Sequence, residues 1–398
     1  MDENKLRAWW FQRQGLDGSL VGASSADVLE RSGWSRSVGG VGPYLTLFSR
    51  AGTARTEADK AVAKLQIHEL PAARGCTYVV PKSDFTLALA VGRGFGQGDM
   101  RQALKLGVTE REVDALCEAV MHALATAKEA LDPEEIRQAT GKASRSLGER
   151  GKTKGLTTTL PLALGRLQAT GDIRRVPVNG RLDQQRYKYV AWAPSPLAKH
   201  RLDSTASLRE LARRFFRWVG PATAAEFQWF AGLGVKAARE ILEPLALVPA
   251  EAGSERLLLP EDVAAWKKFK APTKPCFALV SSLDPITANR RDVRSFLDPK
   301  DHERTFPTEK SSAAGAAISD LPSHAVLDRG RIVGLWEFDA EAGELVAAVF
   351  GSRDKALDSA IARTEAFVRD ELGDARSFSL DSPRSRVPKI AALRKLGR

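Results

Sequence analysis

One stretch limits the architecture of this chain more than any other: "GLTTTLPLALGRLQATGDIRRVPVNGRLDQQRYKYVAW", from Gly155 to Trp192. Leu156, Leu160, Leu164 and Leu167 recur at helical spacing, and Gly171 supplies a stop. Pro161 lacks an amide hydrogen, so it should kink this helix or delay its start. Ile173 to Val178 and Arg186 to Trp192 then alternate in character, as two strands would. Asn179-Gly180 lies between them and favours a hairpin. Just upstream, "LDPEEIRQAT" (Leu131 to Thr140) reads as a short helix with Asp132 at the N-cap and Pro133 in its first turn. Helix, helix, hairpin is the order of a winged helix. In that arrangement the second helix can enter a DNA groove while the hairpin grips neighbouring phosphates.

The same order recurs without close repetition of sequence. "TASLRELARRFFRWVG" (Thr205 to Gly220) is an amphipathic helix closed by glycine. Two further helices follow in "PATAAEFQWFAGLG" and "VKAAREILEPLAL", and "LVPAEAGSERLLLP" reads as a short hairpin around Gly253. Helices at about 4–14, 24–32, 41–50 and 56–66 precede the strand-like "RGCTYVVP", so the unit is expected there with a reduced wing. Near the other end, "CFALVSSLDPI", "HAVLDRGRIVGLWEF" and "ELVAAVFG" read as strands, with Arg329-Gly330 as a turn. "SRDKALDSAIARTEAFVRDELG" is one long helix. Residues 300–323 read as a long loop, and Trp192 and Trp336 as core. The expected fold class is α+β and mostly helical, with tandem winged helices and a C-terminal β-rich domain. The expected divisions are 1–109, a winged helix with a basic wing at 110–192, a winged helix at 205–268, a β-rich domain at 275–373, and a basic mobile tail at 374–398.

Charge narrows the partners. The net charge is +11 over 398 residues, and it is uneven. Arg145 to Lys188 hold ten Arg and Lys against three Asp and Glu, and Ala375 to Arg398 hold seven against one. A concentrated basic segment inside a folded region is the electrostatic footprint of a polyanion binder. The candidate DNA contacts are Lys152, Lys154, Arg166, Arg174, Arg175, Arg181, Arg186 and Lys188, with Arg74 from the first unit. The expected partner is double-stranded DNA, contacted mainly through phosphates.

Other classes recede. No run of 18 apolar residues exists, which argues against a membrane span. The N-terminus lacks the basic head and apolar core of a secretory signal. Cys76, Cys117 and Cys276 are far apart and odd in number, and the five histidines are scattered. That pattern suits a reducing cytoplasm and no metal site; with DNA as the partner, the protein is expected on the nucleoid, and no cofactor is expected.

Several phrases together resemble the AlkZ/YcaQ-like family of bacterial winged-helix DNA glycosylases, which are linked to interstrand-crosslink repair. "RGCTYVVP" is similar to the family's Arg-Gly-Thr-x-His phrase, with Tyr78 where the histidine stands. Val219 to Thr223 ("VGPAT"), "EFQWFAGL", "SSLDPITANRRD" and "VLDRGRIVGLWEF" resemble further family phrases in the same order, over roughly residues 5 to 370. The resemblance implies three winged helices and a β-rich domain around a DNA cleft. It also implies hydrolysis of the N-glycosidic bond of N7-alkylated or crosslinked guanine. An N7-alkylated guanine is cationic and already a good leaving group, so the enzyme has to position a water and stabilise positive charge at the sugar.

Family members do this with a Gln-x-Gln or Gln-x-Asp motif near the N-terminus. By the resemblance, that motif falls on Ser35-Arg36-Ser37, and both glutamines are absent. A positive Arg36 there would disfavour a cationic base unless Asp27 or Glu30 offsets it. The alternative register is Gln66-Ile67-His68, placed at an expected helix end, with His68-Glu69 suited by residue type to general base work. "GWSRSVGGVGPY" is expected to begin the helix that lines the cleft, with Gly39, Gly40 and Gly42 letting backbone approach the nucleotide or a neighbouring helix. Two readings therefore stand: a DNA glycosylase, and a non-catalytic DNA-binding protein on the same scaffold.

Overall fold

The computed structural model describes residues 1–95, 97–201, 203–308 and 312–397. The first part runs α1 (Glu3–Arg13), α2 (Ser25–Ser32), β1 (Ser35–Arg36), α3 (Gly42–Ala51), α4 (Arg55–Ala63), β2 (Ile67–Pro71), β3 (Thr77–Pro81) and α5 (Phe85–Gly92). Its sheet has the order β1-β3-β2, all antiparallel. The second part holds α6 (Gln97–Lys105), α7 (Glu110–Thr126), α8 (Pro133–Thr140), α9 (Gly148–Lys152), α10 (Leu160–Ala169) and the hairpin β4 (Ile173–Pro177) with β5 (Tyr187–Ala191). Local chemistry sets these boundaries. Asp132 caps α8 by accepting the Glu135 amide at 2.8 Å. Pro161 does delay the second helix, since α10 begins at Leu160 with the proline in its first turn.

The third part is α11 (Ser204–Val219), α12 (Ala224–Ala231), α13 (Val235–Leu242), the two-residue strands β6 (Val248–Pro249) and β7 (Leu257–Leu258), and α14 (Val263–Lys268). The last part opens with β8 (Phe277–Val280) and α15 (Pro285–Ala288). The segment read as a long loop carries a small ladder, β9 (Thr305–Pro307) with β10 (Ser312–Ala314). Then come β11 (His324–Asp328), β12 (Arg331–Asp339), β13 (Glu344–Val349), α16 (Lys355–Phe367) and α17 (Pro383–Leu396). The main sheet is antiparallel, in the order β13-β12-β11-β8. Its β11–β12 turn places Arg329 at φ 48° and Gly330 at φ 86°. A Cβ at Gly330 would stand 2.1 Å from the Arg7 carbonyl oxygen, so only glycine fits there.

Four cores hold the chain together. Helices α2 to α4 share one with a face of the main sheet and α16. The β2–β3 hairpin and α5 share another with α11 to α13. Helix α1 inserts Trp9, Trp10 and Phe11 against the other face of the main sheet. The second part has a core of its own, built on α7, α10 and the hairpin. The loop from 178 to 186 ties that part to the first. Leu182 is fully buried in the first core, and its amide donates to the Tyr44 hydroxyl at 2.8 Å.

The expected mobile tail is corrected. Residues 383–396 form a helix that packs on β12 and β13, burying Ile390 and Leu393. Arg386 pairs with Asp374 at 2.5 Å, Lys389 with Glu337 at 2.9 Å, and Arg394 with Glu344 at 2.5 Å. Arg386 and Lys389 are therefore buried within the fold.

Candidate active-site cleft and nucleic-acid interface

Residues 66–68 are not a helix end. Ile67 opens strand β2, and in a strand successive side chains face opposite ways. That alternation separates His68 from Glu69. His68 faces the core, its ring 5.4 Å from Trp192 and 6.1 Å from Phe85, and neither ring nitrogen has a partner among the described residues. Burial, reinforced by the charges of Arg174 and Arg175, pushes its pKa down to about 3. It is thus a neutral, enclosed aromatic. Gln66 is exposed just outside the strand, and its carbonyl accepts the Lys82 amide at 2.8 Å. The two do not form a common site.

The Ser35-Arg36-Ser37 stretch is a strand edge rather than the start of a helix. Ser35 is fully buried and shares a 3.1 Å hydrogen bond with Thr46. Arg36 stands 5.8 Å from the Tyr78 ring across the β1–β3 pairing. The Ser37 amide donates to the Thr77 carbonyl at 3.0 Å, and its hydroxyl donates to the Glu69 carboxylate. Helix α3 begins only at Gly42. The glycines before it do allow a close approach, but to the chain's own C-terminal segment. A Cβ on Gly40 would lie 2.2 Å from the Ser377 carbonyl oxygen, and the Val41 amide donates to the Arg376 carbonyl at 2.9 Å. The glycines therefore close a joint between distant segments.

Glu69 gathers groups from both parts. Oε1 accepts from Ser37 and, at 3.3 Å, from the Tyr187 hydroxyl on β5. Arg175 lies over the Tyr187 ring at 4.8 Å. Burial raises the Glu69 pKa, while Ser37, Arg175 and Tyr187 work against that rise. Oε2 accepts no hydrogen bond from the described residues, yet it is not sealed from solvent. Two residues further along the same strand face, Pro71 enters the wall of a cleft of about 600 Å³. Thr77 and Arg175 share that wall, and Arg93, Arg101 and Arg166 line the cleft with Asp99 and Glu110. A second groove of about 750 Å³ shares Arg101 and Leu104 with it and adds Lys105, Arg150 and Lys154, with no acidic residue in its lining. Helix α6, which supplies Arg101 and Lys105, has no counterpart among the sequence-read elements.

The basic residues read from sequence divide into free and engaged ones. Lys154 and Arg186 are exposed and have no ion pair among the described residues. Lys152 is exposed with a loose contact to Glu149 at 3.7 Å, and half-buried Lys188 stands at the same distance from Glu135. Arg166 is held between Glu110 and Asp114 at 2.5 Å each. Arg181 pairs with Asp183 and donates to the Leu372 carbonyl at 3.1 Å. Arg174 and Arg175 are half-buried on β4 and reach inward, and burial lowers the pKa of Arg174. Arg74 lies 3.7 Å above the Trp229 ring, joining the first part to the third. The contiguous charge footprint therefore lies on α6 and the α9 region more than on the hairpin strands.

A family model, DNA glycosylase AlkZ-like, matches residues 41–373. The chain belongs to this family. The matched span begins after Ser37. Among solved structures, Streptomyces sahachiroi DNA glycosylase AlkZ shares the fold with a TM-score of 0.69 and 20% identity, over 94% of this chain and 97% of that one. No curated protein sequence matches significantly. Among the described residues no helix is long and apolar enough to cross a membrane, and no cluster of His, Cys, Asp and Glu could hold a metal ion.

Proposed function

We propose that this chain is a DNA glycosylase that hydrolyses the N-glycosidic bond of N7-alkylated or crosslinked guanine in duplex DNA, acting on nucleoid DNA in the cytoplasm. Each run of helices closed by a hairpin (α2 to β3, α7 to β5, α11 to β7) is read as a winged helix, and the part after residue 275 as a β-rich domain. The observation that carries the proposal is the pair of adjoining grooves. Arg101, Lys105, Arg150 and Lys154, which have no ion pair among the described residues, border them. Arg175, on the wall of the 600 Å³ cleft, leads through Tyr187 to the enclosed polar group at Ser37 and Glu69. Cations of this kind draw the phosphate backbone by releasing its counterions, without regard to sequence. A neutral water delivered at the sugar would complete the bond cleavage, because the alkylated base leaves with its positive charge cancelled.

One observation favours a second reading, a non-catalytic DNA-binding member of the scaffold. Ser35 is sealed and its hydroxyl is committed to Thr46, so the first motif position has nothing to offer a water. Release of N7-methylguanine from alkylated duplex DNA by the purified protein tests the two readings. Release above the spontaneous rate is the expected result. Salt-sensitive binding to DNA without release would establish the second reading.

A further inference from the structure

We infer that Glu69 is the catalytic carboxylate of this chain, taking over the water-activating role that Ser35 and Ser37 cannot fill, two residues along strand β2 from Pro71 on the cleft wall. The inference rests on the glycosylase reading and adds the residue that carries the chemistry.

The decisive observation is a contrast among buried acids. Nine carboxylates are buried among the described residues: Glu69, Asp84, Asp183, Glu226, Asp262, Asp284, Asp301, Asp328 and Glu337. Eight of them lie within salt-bridge distance of an arginine or lysine. Glu69 alone has no such partner among the described residues. An enclosed carboxylate without a counter-ion is costly, and a fold keeps one mainly where it has work to do. Its neutral donors, Ser37 and Tyr187, both bind Oε1. They fix the orientation of the carboxylate and leave Oε2 open. Arg175 biases it toward the ionised form without quenching it in a direct pair.

This arrangement suits one step. Water adds its oxygen to C1′ of the alkylated nucleotide as the C1′–N9 bond breaks. The electron pair of that bond moves onto the base and cancels its positive charge. One proton of the water passes to Glu69 Oε2. The products are an abasic site and the free alkylated base. The negative carboxylate also stabilises the positive charge that develops at the sugar.

The test is single-turnover release of N7-methylguanine by wild type, Glu69→Gln and Tyr187→Phe, each checked for DNA affinity and thermal unfolding. Glutamine preserves the acceptor for Ser37 and Tyr187, so Glu69→Gln should fold and bind DNA within about twofold of wild type. Its release rate should fall by on the order of 100-fold or more, the scale of general base catalysis. Tyr187→Phe should lose less, about tenfold, because it only orients the carboxylate. An active wild type with an unimpaired Glu69→Gln overturns the role of Glu69 and leaves the glycosylase reading standing. An inactive wild type that binds DNA overturns both. If Glu69→Gln fails to fold, Tyr187→Phe decides: a folded Tyr187→Phe at the wild-type rate overturns the inference.

Discussion

Asp284 and Glu69 are both buried carboxylates, and they are treated in opposite ways. Asp284 is fully buried against Arg50, which donates to its two oxygens at 2.7 and 2.8 Å, while Gln14 accepts from the same guanidinium at 3.0 Å. Every strong group in that node is answered. Glu69 has two neutral donors on one oxygen and none from the described residues on the other. The first arrangement specifies how α1, α3 and the main sheet meet. The second leaves a carboxylate without a counter-ion two residues along strand β2 from Pro71, which lines a cleft. Burial alone therefore does not mark a functional acid, whereas burial without a counter-ion does.

Breaking the first node should produce the largest effect on folding. Asp284→Ala leaves Arg50 buried and unpaired, which should cost about 3–5 kcal/mol. Chemical denaturation would read this, and a loss below about 1 kcal/mol would mean the node is not structural.

Glu69→Gln should behave in the opposite sense. A carboxyl whose pKa is raised by folding binds its proton more tightly in the folded state. Its contribution to stability is full below its unfolded pKa, near 4.5, and is lost as pH rises through the folded value. The amide does not titrate. Relative to wild type, the variant should thus gain stability as pH rises above 4.5, the usual exchange of stability for function at a working site. Thermal unfolding of both proteins at pH 4.5 and 8 checks the sign, and a relative loss at pH 8 would contradict it.

The same distinction between answered and unanswered groups divides the surface cations. Replacing Arg101, Lys105, Arg150 or Lys154 with alanine should weaken binding equally for unrelated DNA sequences. The log–log salt slope should fall by about 0.9 for each phosphate that is no longer neutralised. Arg166→Ala and Arg181→Ala should change that slope least, because both cations already have carboxylate partners. Filter binding at several salt concentrations separates the two groups. Equal slopes for all six would show that the grooves do not hold DNA.

Local chemistry made much of the fold legible. The cap at Asp132, the delayed start at Pro161, and the Asn179-Gly180 connection all read correctly because each depends on neighbours in sequence. The tail misled for a physical reason. Arg386, Lys389, Ile390 and Leu393 form its buried face at helical spacing, but two of the four are cations, masked as solvent residues until Asp374 and Glu337 are placed beside them. The separation of Glu69 from His68 was obscured by the wrong period. Strand β2 is short and follows α4 closely, and the 72–76 connection to β3 has no Asn-Gly signal. The period-two reading would have put His68 and Glu69 on opposite faces. Gly40 announces a close approach, but its partner, the Arg376–Ser377 backbone, lies more than 300 residues away.

The pH dependence of single-turnover N7-methylguanine release tests the central claim most directly. Wild type should show a rate that rises with pH along a single ionisation whose midpoint lies above 4.5, the ordinary glutamate value, because Glu69 must lose its proton to accept one from water. Glu69→Gln should be slow and flat over the same range. A wild-type limb that persists unchanged in Glu69→Gln would contradict the account.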